Sequence, residues 1–358
     1  MAYTVRLNKK VWLCIILIIS LISLAIRYTI FTEKYFIDSN GLMSIERNLN
    51  ITGMLPVDEG SFQSAAIFFY YINFFDLNSL MEWTIYISIL FFLINFYLVK
   101  DIKLIELKNF LLLITGLLLW YLFGAGITKE IIQSLFFIIV YMVICSDKIK
   151  YTWIKFLIGI IIIYFSSILF REYFILMAVF AIYIYIISIM LKKKNLSPKY
   201  YYIWMIIFSM ILVTFFLFII SIILPEQYSF IMILRTDYYY TQLMEVGTDS
   251  LITALVPGES LLIYMINYII TYFRLLIPIE LLFNIKIQYI PFVVYQLSFT
   301  YYYIKNISMI NIIDDKKFIA LVFLTAYILV SAIMEPDFGS WVRHQTATYS
   351  LMLILLKY

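Results

Sequence analysis

The chain has 358 residues, 64% of them hydrophobic and 13% charged, with a mean hydropathy of +0.97, a balance that excludes an ordinary soluble domain. Its formal net charge of +4 does not mark a nucleic-acid binder, because the basic residues lie in short loops beside apolar runs, where they orient a membrane protein. One histidine and two cysteines exclude a multi-histidine metal cluster and a disulfide framework; no Walker-type phosphate loop is present, and neither a metal nor any other cofactor is expected.

Apolar runs of about 18 residues recur from end to end without the alternation of barrel strands. They predict an all-α polytopic bundle of about ten transmembrane helices, a single integral membrane domain over 1–358. Cys14 and Cys145 fall inside such runs and are expected to pack in the core. Arg6, Lys9 and Lys10 precede the first run, Val11–Phe31, and the positive-inside rule places the N-terminus in the cytoplasm. Residues 32–81 then form an outer loop in which Phe62–Phe75, too short to span, reads as an interfacial helix.

Predicted spans follow at about 82–99, 109–125 and 131–145, separated by Lys100, Lys103 and Lys108 on the inside and by Thr128-Lys129-Glu130 on the outside. The stretch Tyr151–Leu191 would be roughly 60 Å long as a helix, about two bilayer crossings, and its central Arg171-Glu172 marks an outer turn. Lys192-Lys193-Lys194 returns the chain to the cytoplasm. A span over 202–224 leads out to a long loop, 225–260, which extends to 287 if Leu261–Phe283, interrupted by Arg274, Pro278 and Glu280, lies on the surface. That reading keeps Lys305, Lys316 and Lys317 inside, with final spans at about 318–334 and 345–356 and both termini cytoplasmic.

Lysines therefore gather mostly on the inner side, whereas Arg171, Arg235, Arg274 and Arg343 all map outside. Guanidinium suits bidentate binding of phosphate or carboxylate, although an arginine at a helix end can also snorkel to headgroups. Adjacent Lys129 and Glu130 point about 100° apart on a helix: one can bind substrate while the other pairs with Arg171, or both can simply cap a hairpin. The segment Glu335–His344 reads as an outer loop with two carboxylates, Glu335 and Asp337, an aromatic surface in Trp341, the guanidinium of Arg343 and the sole imidazole, His344. A carboxylate or His344 can take a proton from a sugar hydroxyl, and Arg343 can neutralise a departing pyrophosphate. Asp38, just past the first span, is a further candidate base. Substrate binding is thus assigned to Lys129, Glu130, Arg171, Glu172, Arg235, Arg274, Trp341 and Arg343, and catalysis to Asp38, Glu335, Asp337 and His344.

With its topology, its loop 225–260, its outward arginines and the pieces Gly126-Ile-Thr-Lys-Glu130, Phe170-Arg-Glu-Tyr173 and Trp341-Val-Arg-His344, the chain resembles the bacterial O-antigen and capsule repeat-unit polymerases (Wzy-type). The resemblance implies transfer of a growing glycan from an undecaprenyl-pyrophosphate carrier to an incoming lipid-linked repeat unit at the outer face of the inner membrane. A chain-length regulator would be a further partner, and no nucleic acid would be one. The loop 225–260 holds only Arg235, not an arginine-rich pattern. The chain also resembles GT-C membrane glycosyltransferases in its early outer carboxylate, Asp38, followed by the surface helix 62–75. A flippase would want charges in both halves of the bundle and internal repeats, and a membrane acyltransferase a histidine within a span.

Overall fold

The computed structural model describes residues 4–30, 37–54, 60–194, 198–229, 231–232, 250–258, 260–283, 286, 289–310 and 313–357. Among these residues it is 81% helical, with almost no strand, and seven helices are long and apolar enough to cross a membrane. The chain is membrane-embedded. It divides into two compact units, one comprising Met1–Ser146, Ile161–Glu172 and Arg343–Lys357, the other Asp147–Ile160, Tyr173–Val342 and Tyr358.

In the first unit a short antiparallel ribbon, β1 (Thr4–Arg6) with β2 (Leu104–Glu106), ties the segment ahead of the first helix to the one ahead of Leu107. Hydrophobic periodicity gives no sign of so short a pairing. Helix α1 (Lys9–Thr29) starts where Asn8 Oδ1 accepts from the Val11 amide at 2.9 Å, one of the four orphan donors of a helix start. Its Trp12 is buried and donates to the Ile102 carbonyl at 2.8 Å. Next come α2 (Ile37–Thr52), α3 (Gly60–Ile72) and α4 (Leu80–Val99). Reciprocal bonds between Ser79 and Glu82 cap α4, which fixes its start two residues before the expected one.

Helix α5 (Leu107–Leu119) runs into a π-helical turn, Trp120–Gly124, before α6 (Lys129–Cys145). Helix α7 (Thr152–Leu169) belongs in its second half to this unit. So does α15 (Tyr349–Lys357), which packs on α6 and α5. The expected span 345–356 is not one helix, because the chain turns at 347–348 and leaves nine residues in α15, about 14 Å of helix. Cys14 does not pack in the core: it lies on the exposed face of α1.

The second unit contains α8 (Phe174–Lys193), α9 (Pro198–Ile223), α10 (Leu261–Leu276), α11 (Ile279–Phe283), α12 (Ile290–Ser308) and α13 (Asp315–Met334). Every residue of α13 from Phe318 to Ile333 is buried, and it packs on α8 and α10. The ambiguous stretch 261–283 resolves into a 16-residue helix and a 5-residue one broken at Ile277-Pro278, where proline denies the helix its next backbone donor. The carbonyls freed at that break are met by Gln296 and Trp341 on Leu275 and by Thr300 on Leu276. Glu335–His344 is not a loop throughout, since Phe338–Thr346 forms α14, its first half in the second unit and its last four residues in the first.

Candidate functional site

The first unit collects its charges where α1, α5 and α7 end and α2 and α6 begin. Arg27, in the last turn of α1, is 3% exposed and donates to the carbonyls of Leu122 at 3.2 Å and Ala125 at 2.8 Å. It thereby clamps the end of the π turn, whose carbonyls lack helical partners. A Cβ on Gly126 would lie 2.9 Å from Arg27 Nη2, so glycine there lets the clamp close. The clamp fixes the turn from which α6 departs, and α6 carries Lys129 and Glu130 in its first turn.

Adjacent on the helix, these two residues do face different partners, as their 100° separation requires. Lys129 Nζ lies over the Phe62 ring at 3.7 Å and 3.9 Å from Asp38 Oδ2. Asp38 occupies the first turn of α2, a helix where a loop was expected, and its Oδ2 is also 3.2 Å from Arg343 Nη1. Glu130 points inward: its Oε1 is 3.8 Å from Arg171 Nη2 and 3.3 Å from His344 Nε2. The Arg171 guanidinium is further held by Gln133 Oε1 at 3.1 Å, and the Gln133 amide donates to the His344 carbonyl at 3.2 Å. His344 Nε2 lies 2.9 Å from Arg171 Nη2. A neutral ring accepts there from the guanidinium, and a ring protonated at Nε2 donates to Glu130 instead; one nitrogen cannot do both.

The result is two layers. Arg171 and Glu130 form an inner layer, with side chains 6% and 3% exposed, while Asp38, Arg343 and Lys129 form an outer one at 34%, 26% and 14%. Three cations face two carboxylates, with the imidazole between. Lys129 and Glu130 precede the apolar run 131–145, and their environment shifts both. Burial pushes the Lys129 ammonium down, and the Asp38 charge opposes this. Burial alone would raise the Glu130 carboxyl; the His344 hydrogen bond and the charges of Arg343, His344 and Arg171 outweigh it and hold the group well below the usual carboxylate range.

The other candidates fall elsewhere. Glu172 is exposed beside buried Arg171. Arg274 is in the second unit, where it pairs with Glu280 and donates to the Thr253 carbonyl at 2.5 Å. Trp341 is fully buried: it donates to Leu275 O at 3.1 Å and stacks on Tyr327, which leaves no ring face for a sugar. Asp337 caps α14, accepting from the Ser340 amide and hydroxyl at 2.8 and 2.9 Å, and Glu335 is a buried residue ending α13. Arg235 lies outside the described residues. Sequence reasoning passed over Arg27 and Gln133, both signalled by a polar side chain inside an otherwise apolar helical run. Among the described residues no group of three metal-ligating side chains occurs. No family model matches the chain, nor does any curated protein or any solved structure.

Proposed function

We propose that this chain polymerises lipid-pyrophosphate-linked oligosaccharide units at the outer face of a bacterial inner membrane, through about ten spans with both termini in the cytoplasm. The observation that carries the reading is the charged cluster of the first unit: Lys129, Arg171 and Arg343 around Asp38, Glu130 and the single imidazole. In the reaction an acceptor hydroxyl loses its proton to a base, its oxygen bonds the anomeric carbon, and the bond from that carbon to pyrophosphate breaks with the electron pair leaving on the diphosphate. Cations that meet the developing charge lower the barrier, and Arg343 and Lys129 are the partly exposed ones. The base is sought among Asp38 and His344, because Glu130 is almost sealed and held ionised between partners.

One observation favours a second reading. Asp38 lies in the helix that follows the first apolar one and within the same cluster, as a GT-C enzyme acting on a lipid-phosphate sugar would want. The experiment is deletion of the gene in its native host, with complementation by wild type, Arg171→Ala, Arg343→Ala and Asp38→Ala and a gel of the surface glycan. A single repeat unit in place of the ladder, for the deletion and both arginine variants, supports polymerisation. A ladder of shifted size with one sugar missing would overturn it in favour of a single-sugar transferase, and loss of even the single repeat would favour a flippase.

A further inference from the structure

One carboxylate oxygen lies next to both partly exposed cations of the cluster. Asp38 Oδ2 is 3.2 Å from Arg343 Nη1 and 3.9 Å from Lys129 Nζ, and Asp38 is the most exposed of the three. The inner carboxylate, Glu130, cannot exchange so easily: at 3% side-chain exposure it would leave the buried Arg171 guanidinium without its carboxylate. Asp38 keeps a third of its side chain exposed and faces no sealed partner, so the cost of parting it from these cations is smaller than for the buried Glu130. Lys129 would stay in place when Asp38 leaves, since its ammonium rests on the Phe62 ring at 3.7 Å.

An oxygen bridging an ammonium and a guanidinium marks a place that a phosphate oxygen fills better. Phosphate offers more acceptor oxygens, more charge and a bidentate fit to arginine. We propose that Lys129 and Arg343 form a phosphate-binding cradle that the Asp38 carboxylate occupies at rest as an internal anion, and that an incoming pyrophosphate displaces it. Its place in catalysis rests on the polymerase reading; the cradle itself does not. The exchange links two events: binding of the diphosphate frees the Asp38 carboxylate, so the cations are committed to the donor before the carboxylate becomes available to a hydroxyl.

The test is calorimetric titration of inorganic pyrophosphate into the purified full chain in nanodiscs of zwitterionic lipid. Asp38→Asn keeps shape and removes the competing charge, so it should tighten binding about tenfold, whereas Lys129→Gln and Arg343→Gln should each weaken it about tenfold or more. Thermal unfolding without ligand checks that each variant is folded. Asp38→Asn binding no more tightly than wild type would overturn the internal-anion role, and unchanged binding in both cation variants would overturn the cradle. Repeating the titration in nanodiscs containing phosphatidylglycerol separates two sources of the phosphate: undiminished binding assigns the cradle to a pyrophosphate ligand, and competition assigns it to a phospholipid headgroup. A tightened Asp38→Asn in a chain whose deletion leaves the glycan ladder intact would keep the cradle and remove the polymerase reading. A lost ladder with no tightening would do the reverse.

Discussion

The two units spend the same residue types in opposite ways. In the second, Arg274 is closed off by Glu280 and the Thr253 carbonyl, Asp337 by the start of α14, and Trp341 by the Leu275 carbonyl. In the first, Arg343 and Lys129 lie beside one Asp38 oxygen and all three remain partly exposed over the buried Arg171–Glu130 pair, with His344 next to it. Polar groups that close on one another stabilise a fold; a surplus of cations at an accessible edge can hold a ligand. The comparison makes function a property of the first cluster and stability a property of the second, and it can be broken by measurement.

The largest effect is expected at Arg343. On the proposed polymerase function, Arg343→Gln should lower the rate of chain extension about 100-fold, as loss of one preorganised charge donor typically does, while the protein remains folded because the side chain is partly exposed. Polymerisation measured on lipid-linked repeat units in reconstituted membranes decides it. A loss under about threefold would place the functional charges elsewhere.

Glu130→Gln is expected to act first on stability, at about 3 kcal/mol, because it leaves Arg171 short of its buried partner. The sign with pH follows from the shift. The folded carboxyl is held below its free value of 4.5, so its contribution is complete above about that pH and is lost as pH falls through and below it. The wild-type melting temperature should therefore drop on acidification below about 4.5, and the variant's should drop less. Parallel acid limbs would mean that the inner layer is not ionised.

How much of this could be read from sequence varies by element. The long apolar helices were legible because their composition and length state their environment, and the turn at Arg171 because a charged pair halves a 60 Å run. The ends were less so: α2 was hidden by its polar composition, and the nine-residue α15 by an apolar pattern that continues through a turn. Of the site, Asp38, Lys129, Glu130, Arg171, Arg343 and His344 were found by residue type in context. Of their pairings, that of Arg171 with one member of Lys129-Glu130 was legible, whereas those of Asp38 with Arg343 and Lys129 and of His344 with Glu130 were not, because they depend on how the ends of α2, α6 and α14 meet. Trp341 and Asp337 looked functional for the same reason that Arg343 did, since a sequence does not say which polar groups the fold will satisfy internally.

In the second unit the predicted losses are structural. Arg274→Met should lower stability by about 2 kcal/mol, less than a fully buried pair because Glu280 is 37% exposed, with extension per folded molecule unchanged. Back in the first unit, Gly126→Ala should cost about 1 kcal/mol, the lower end for a small overpacking defect, because its Cβ must push the Arg27 guanidinium off two carbonyls. Denaturation in mixed micelles measures both.

The smallest effect tests the comparison most closely. Trp341 and Arg343 share α14 two residues apart, yet one belongs to each unit. Trp341→Phe keeps an aromatic ring against Tyr327 and removes the indole donor to Leu275 O, a carbonyl that Gln296 also serves at 2.7 Å. The acceptor therefore stays satisfied, and the loss should be about 1 kcal/mol, one hydrogen bond and a little buried area. Extension per folded molecule should match wild type. A tenfold fall in extension at unchanged stability would put Trp341 against the sugar, and satisfaction inside the fold would no longer separate structural from functional residues along this helix.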